Sequence, residues 1–144
     1  MTASSGWFMW AVWSAVFAAL TAIFAKIGLQ GVNSDLATLV RTVIILAVLS
    51  AFVVCTGAWR NPFALPGRTW VFLTLSGLAT GASWVCYFRA LQAGEASKVA
   101  PVDKLSIVLV ALFAFAFLGE RPNLREWTGI ALVAGGVMLL ALRR

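Results

Sequence analysis

Histidine is absent from this chain, and charge is scarce: 11% of the 144 residues are Asp, Glu, Lys or Arg, and only 5 of them are acids. Without imidazole there is no histidine general base, no histidine metal ligand and no side chain that titrates near neutrality unperturbed. The 2 cysteines, Cys55 and Cys86, show no metal or redox spacing. Both fall near the ends of apolar runs that cross in opposite directions, so they are expected near opposite membrane faces, which argues against a disulfide and for packing roles. Phosphate loop, nucleophile elbow and metal-ligand cluster are all missing, so no cofactor or metal is expected. Asp103 next to Lys104 is a poor general acid–base pair. The sequence reads as a non-enzyme.

What is abundant is apolar, at 62% of the chain. A typical soluble domain is about 45–50% apolar and about 25% charged, and a globule this small has too little interior to hide the excess. Disorder is excluded by the same numbers. The net charge of +6 comes from Lys and Arg at the ends of apolar runs, where cations meet lipid headgroups; the bilayer, rather than nucleic acid, is the expected partner.

A spanning helix needs about 20 mostly apolar residues, and five such runs are present. They are expected as helices over approximately 7–27, 36–59, 69–91, 98–118 and 125–142, forming one five-helix domain over 1–144. Gly28, Gly31, Asn33 and Ser34 provide stop and cap signals between the first two. Pro62 and Pro66 punctuate the next connection. Asn123 with Glu126 three residues on reads as a capping box for the last helix. In lipid every backbone group must be satisfied internally, and no barrel-type alternation occurs, so the class is an all-α integral membrane bundle. The opening residues carry no Lys or Arg and precede an apolar stretch longer than a signal core, so the first helix is expected to be retained.

Five spans place the termini on opposite faces. Arg60, Arg68, Arg121 and Arg125 fall on the N-terminal side; Lys26, Arg89, Lys98, Arg143 and Arg144 fall on the other. The positive-inside rule acts on an asymmetry that is almost missing here. Two readings stand, insertion in both orientations with antiparallel pairing, or a single orientation set by one or two residues.

Several charges lie inside the runs. Arg41 is six residues beyond Asp35, about 9 Å along a helix; Asp103 and Lys104 enter from the same side, and Arg89 lies a turn short of it. Intramembrane charges normally face a protein interior or a wet cavity. Asp103 with Arg41 or Arg89 is the expected pair, with Lys104 beside it, while Arg89 and Lys98 also suit snorkelling to the headgroups. Pro101 is expected to kink the fourth helix. Trp7, Trp59, Trp70 and Trp127 read as interfacial anchors. Trp10, Ser14, Phe17, Thr21 and Phe24 share a stripe, with Trp13 nearby, and Thr80, Ser83, Trp84 and Tyr87 form another; each suits either a pathway lining or ordinary packing. Gly129, Ala131, Gly135 and Gly136 give the last helix a smooth face for close helix contact, within one chain or between two.

The segment Ala90 to Val102, the Leu105-Ser-Ile-Val that follows, the stretch Phe117-Leu-Gly119-Glu120-Arg121 and the glycine helix from Gly129 to Val137 together resemble the EamA-type domain of the drug/metabolite transporter superfamily. The resemblance covers all five helices. Typical members have ten helices as two inverted five-helix repeats, so it implies half of such a fold, similar to the short bacterial and archaeal five-helix branch. It implies a multi-pass protein of the inner or plasma membrane that acts as a secondary transporter with a second copy of itself. The last helix is also similar to the dimer-contact helix of small multidrug resistance exporters, which puts Gly129, Gly135 and Gly136 forward as interface residues. Those exporters couple to protons through a glutamate in the first helix; this chain has no acid before Lys26, so that coupling does not carry over.

The expected function is transport of small metabolites or organic ions by alternating access. Arg41, Asp103, Lys104 and Arg89 are candidates for a charged gate or substrate contact, and Trp10, Trp13, Ser14, Trp84 and Tyr87 for the pathway. The positive layer favours anionic or zwitterionic cargo, whereas aromatic walls favour organic cations. A non-transporting subunit of a larger complex is the alternative, and flipping of a lipid carrier a third.

Overall fold

The structure is a computed structural model that describes residues 6–142; residues 1–5 and the terminal pair Arg143 and Arg144 lie outside the described residues. Six helices account for it: α1 (Gly6–Gly28), α2 (Ser34–Cys55), α3 (Gly67–Ala93), α4 (Ala96–Asp103), α5 (Ser106–Phe113) and α6 (Leu124–Leu142). A wider π turn over Ala114–Leu118 continues α5. Counting α4, α5 and the π turn as one span over Ala96–Leu118, 5 helices are long and apolar enough to cross a membrane. This is the all-helical membrane class that the apolar runs indicate.

The helix ends follow local rules. Asn33 caps α2, its Oδ1 accepting from the backbone N–H of Asp35 at 2.9 Å and of Leu36 at 3.2 Å. α2 stops at Cys55, four residues before the expected Trp59, because Gly57 takes a left-handed conformation (φ 66°). The N–H of Gly57 donates to the Val54 carbonyl and that of Ala58 to the Val53 carbonyl, a Schellman closure that leaves no route to continue. The Asn123–Glu126 capping box is present, with Asn123 N–H donating to Glu126 Oε2 at 2.6 Å and Glu126 N–H to Asn123 Oδ1 at 3.0 Å.

The fourth span changes its winding twice. Pro101 lies inside α4, yet the interruption falls later, at Lys104 and Leu105. There the backbone tightens: Lys104, Leu105, Ile107 and Val108 each donate to the carbonyl three residues back. The π turn then widens the helix, and Gly119 (φ 69°) closes it, the Ala114 carbonyl accepting from both Gly119 and Glu120.

Packing divides the chain into two compact units after Ala93, the first holding α1–α3 and the second α4–α6. In the first, α3 packs against both α1 and α2. Its buried residues (Ala22, Leu29, Ser34, Thr38, Phe88 and Leu91) all lie at one end, where α1 finishes, α2 starts and α3 finishes. In the second, α6 packs along α4 and α5, with Ala114 and Val137 buried.

Candidate functional site

The packed end of the first unit is tied by polar contacts. With Asn33 serving as the cap, the Asp35 carboxylate stays free, and the positive end of the α2 dipole suits a negative group there. Arg89 reaches it from the last turns of α3 in a bidentate fork, Nε donating to Oδ1 at 2.9 Å and Nη2 to Oδ2 at 2.7 Å. Lys26 Nζ donates to the Leu91 carbonyl at 2.6 Å, and Gln92 Nε2 to the Val32 carbonyl at 2.7 Å. Three cross-ties thus fasten α1, the α1–α2 loop and α2 to the end of α3.

Arg41 sits deeper on α2. Its guanidinium carbon lies 4.4 Å from the centroid of the Trp84 ring and 5.2 Å from that of Phe88. Phe88 is five residues before the end of α3, about 7.5 Å inside it, which matches the depth of about 9 Å counted along α2. The charge is therefore held on aromatic faces between α2 and α3. Among the described residues no carboxylate lies within ion-pair distance of Arg41, and no carbonyl accepts from it. Stacking uses the face of a guanidinium and leaves its in-plane N–H donors available.

Two grooves flank this stack. Arg41 lines a cleft of about 680 Å³ between α1 and α2, walled by Thr21, Phe24, Val40, Ile44 and, from α3, Phe88. Trp84 lines a second groove of about 600 Å³ between α2 and α3, with Asp35, Thr38, Thr42, Ser76 and Thr80. The hydroxyls of Thr38, Thr42 and Thr80 donate to carbonyls one turn back in their own helices, so they present acceptor oxygens.

Arg41 and Trp84 are brought together, and Tyr87 stands edge-on to Phe88 with centroids 6.4 Å apart. Arg89 is paired with Asp35, because α2 and α3 pack with those two side chains at a common edge. Asp103 instead accepts from Lys104 Nζ at 3.3 Å, its neighbour in sequence, and Lys98 pairs with Glu95 at 3.0 Å. On α1, Thr21 and Phe24 of the stripe line the cleft, whereas Trp10, Trp13 and Ser14 lie exposed and outside it. At Gly129, Gly135 and Gly136 an added Cβ would meet nothing within 4 Å among the described residues. Sequence reasoning missed Phe88 and Asp35 as site residues. Phe88 carried a signal, one helical turn after Trp84; Asp35 was masked by its position among cap residues.

Residues 5–142 match the EamA-like transporter family. The chain belongs to that family. It is similar to a protein described as an uncharacterized transporter in the cobO 3′ region of a Sinorhizobium species, at 60% identity over 139 residues, which cover 96% of this chain and 99% of the relative. It is also similar to the probable 4-amino-4-deoxy-L-arabinose-phosphoundecaprenol flippase subunit ArnE of Yersinia pestis, at 31% identity over 84 residues, 58% of this chain and 74% of the relative. No solved structure matches the chain. Family membership and the five apolar helices make it a multi-pass membrane protein with a transporter role.

Proposed function

We propose that this protein is a secondary transporter of small metabolites or organic ions, its two units acting as one five-helix domain that pairs with a second copy and works by alternating access. The observation that carries the reading is Arg41, a cation six residues inside α2 that stacks on Trp84 and Phe88 and lines an open cleft. A purely structural arginine would be expected to meet a carboxylate or the headgroups, since an unpaired charge at that depth is costly. The near balance of cations between the two faces and the uncovered glycine face of α6 support antiparallel pairing through Gly129, Gly135 and Gly136. Within the second unit, Asp103 and Lys104, where the fourth span tightens, are the candidate charged element, and Pro101 is the candidate kink.

Purified protein in liposomes tests the reading: saturable uptake of at least one member of a metabolite panel is expected, and its loss in Arg41→Gln with the fold retained. A second reading, a subunit that pairs with a different chain, is favoured by the Yersinia relative, which is described as a subunit. It predicts no flux from the purified chain alone.

A further inference from the structure

We propose that the α1–α2 cleft takes a monoanionic, amphipathic organic acid, its carboxylate on the Arg41 guanidinium and its apolar body against Phe24, Val40, Ile44 and Phe88. This names a substrate class for the transport proposed above and rests on that reading for its biological use.

The residues that bear on cargo charge conflict when read from sequence, and the geometry decides between them. Aromatic walls attract organic cations, but the cation over Trp84 and Phe88 is the protein's own, with Arg41 at 4.4 Å and 5.2 Å from the ring centroids. A second cation in that cleft would meet repulsion. The N–H donors of Arg41 have no acceptor among the described residues, and a planar fork of donors matches a carboxylate in two-point contact. One guanidinium balances one negative charge. A dianion would leave a net charge in a low-dielectric site, which disfavours it.

The rest of the lining selects for the body of the ligand. Beyond Arg41 and Thr21 the cleft walls are aliphatic, aromatic or glycine, and the volume of about 680 Å³ lies within the range of about 300–1,000 Å³ typical of small-molecule sites. Depth separates this ligand from an anionic lipid. Arg41 lies about 9 Å along α2 beyond Asp35 in the helix's first turn, whereas lipid headgroups are expected at helix ends.

The test is calorimetric titration of the protein in phosphatidylcholine nanodiscs with three ligands that share one body: 3-phenylpropanoate, 3-phenylpropylammonium and 3-phenylpropanol. The carboxylate should bind about tenfold or more tighter than the other two. Arg41→Gln, which removes the charge, and Val40→Trp, which fills the cleft but keeps the charge, should each weaken carboxylate binding by a similar factor while helix content and elution stay unchanged. Equal or tighter binding of the ammonium ligand overturns the assignment, and so does a carboxylate affinity that is indifferent to both substitutions. Because the three-ligand comparison uses the native chain, it decides even where a variant fails to fold. Replacing part of the phosphatidylcholine with phosphatidylglycerol should leave carboxylate affinity unchanged; competition by that lipid would assign the site to a lipid phosphate and overturn the proposal. Carboxylate binding without flux in liposomes would keep the site and remove the transport reading, whereas flux of other compounds without carboxylate binding would do the reverse.

Discussion

The guanidinium of Arg41 lies over the Trp84 ring, 4.4 Å from its centroid, and this contact joins a helix that begins at Ser34 to one that ends at Ala93. It fixes a positive charge inside the apolar layer at the wall between two grooves. Contacts of this type contribute about 0.5–2 kcal/mol depending on desolvation. A double-mutant cycle of Arg41→Met and Trp84→Leu, read by thermal or denaturant unfolding in detergent, should give a coupling energy in that range. The single Arg41→Met variant should remain folded, because the guanidinium makes no hydrogen bond that its loss would orphan.

The fork between Arg89 and Asp35 behaves differently, since both side chains are substantially exposed, at 62% and 48%. Exposed pairs contribute little and are screened by salt. Asp35→Asn and Arg89→Gln should each lower the unfolding temperature slightly, with the deficit shrinking as salt is raised. Exchanging the two residues, Asp35→Arg with Arg89→Asp, should recover only part of the loss, because an arginine then faces the positive end of α2.

How far these features were legible in the sequence depends on the type of signal. Distance along each run was readable: counting residues put Arg41 and Arg89 a short way from helix ends, and in the structure α2 begins and α3 ends at the same packed end of the first unit. Partnership was not, because it depends on the rotation of α2 against α3, which run lengths leave open. Asp35 therefore looked like one more cap residue beside Asn33, and Asp103 looked like the missing anion. Cap chemistry was well marked at Asn123 and Glu126, where the motif is local. The early end of α2 was missed because Gly57 was read as part of an apolar run instead of as a left-handed stop. Pro101 marked the fourth span as irregular, but the tightening after Lys104 and the widening after Phe113 left no residue-level mark.

Gly119 closes the π turn at φ 69°, a conformation that costs an L-residue with a side chain about 1–2 kcal/mol. Gly119→Ala should destabilise the protein by roughly that amount. Nothing within 4 Å opposes a new methyl group there, so the loss reports backbone strain alone, and unfolding in detergent is the measurement.

On α6 the expectation has the opposite sign for the single chain. An added Cβ at Gly135 meets nothing within 4 Å among the described residues, and helix propensity favours alanine over glycine by about 1 kcal/mol. Gly135→Leu should therefore leave the isolated chain folded while blocking close approach of a second helix. Crosslinking or native mass measurement should show pairs for the natural sequence and predominantly single chains for this variant.

On the proposed function, the chain moves an organic solute through a pathway on which Arg41 acts. Its most direct test is uptake into proteoliposomes that contain only this protein, measured side by side for the natural sequence and for Arg41→Gln of matched helix content and insertion. Saturable uptake of an organic solute is expected for the former and loss of that uptake for the latter. Uptake that persists unchanged in Arg41→Gln would contradict it, as would the absence of uptake by the natural protein across a broad panel of organic anions, zwitterions and cations.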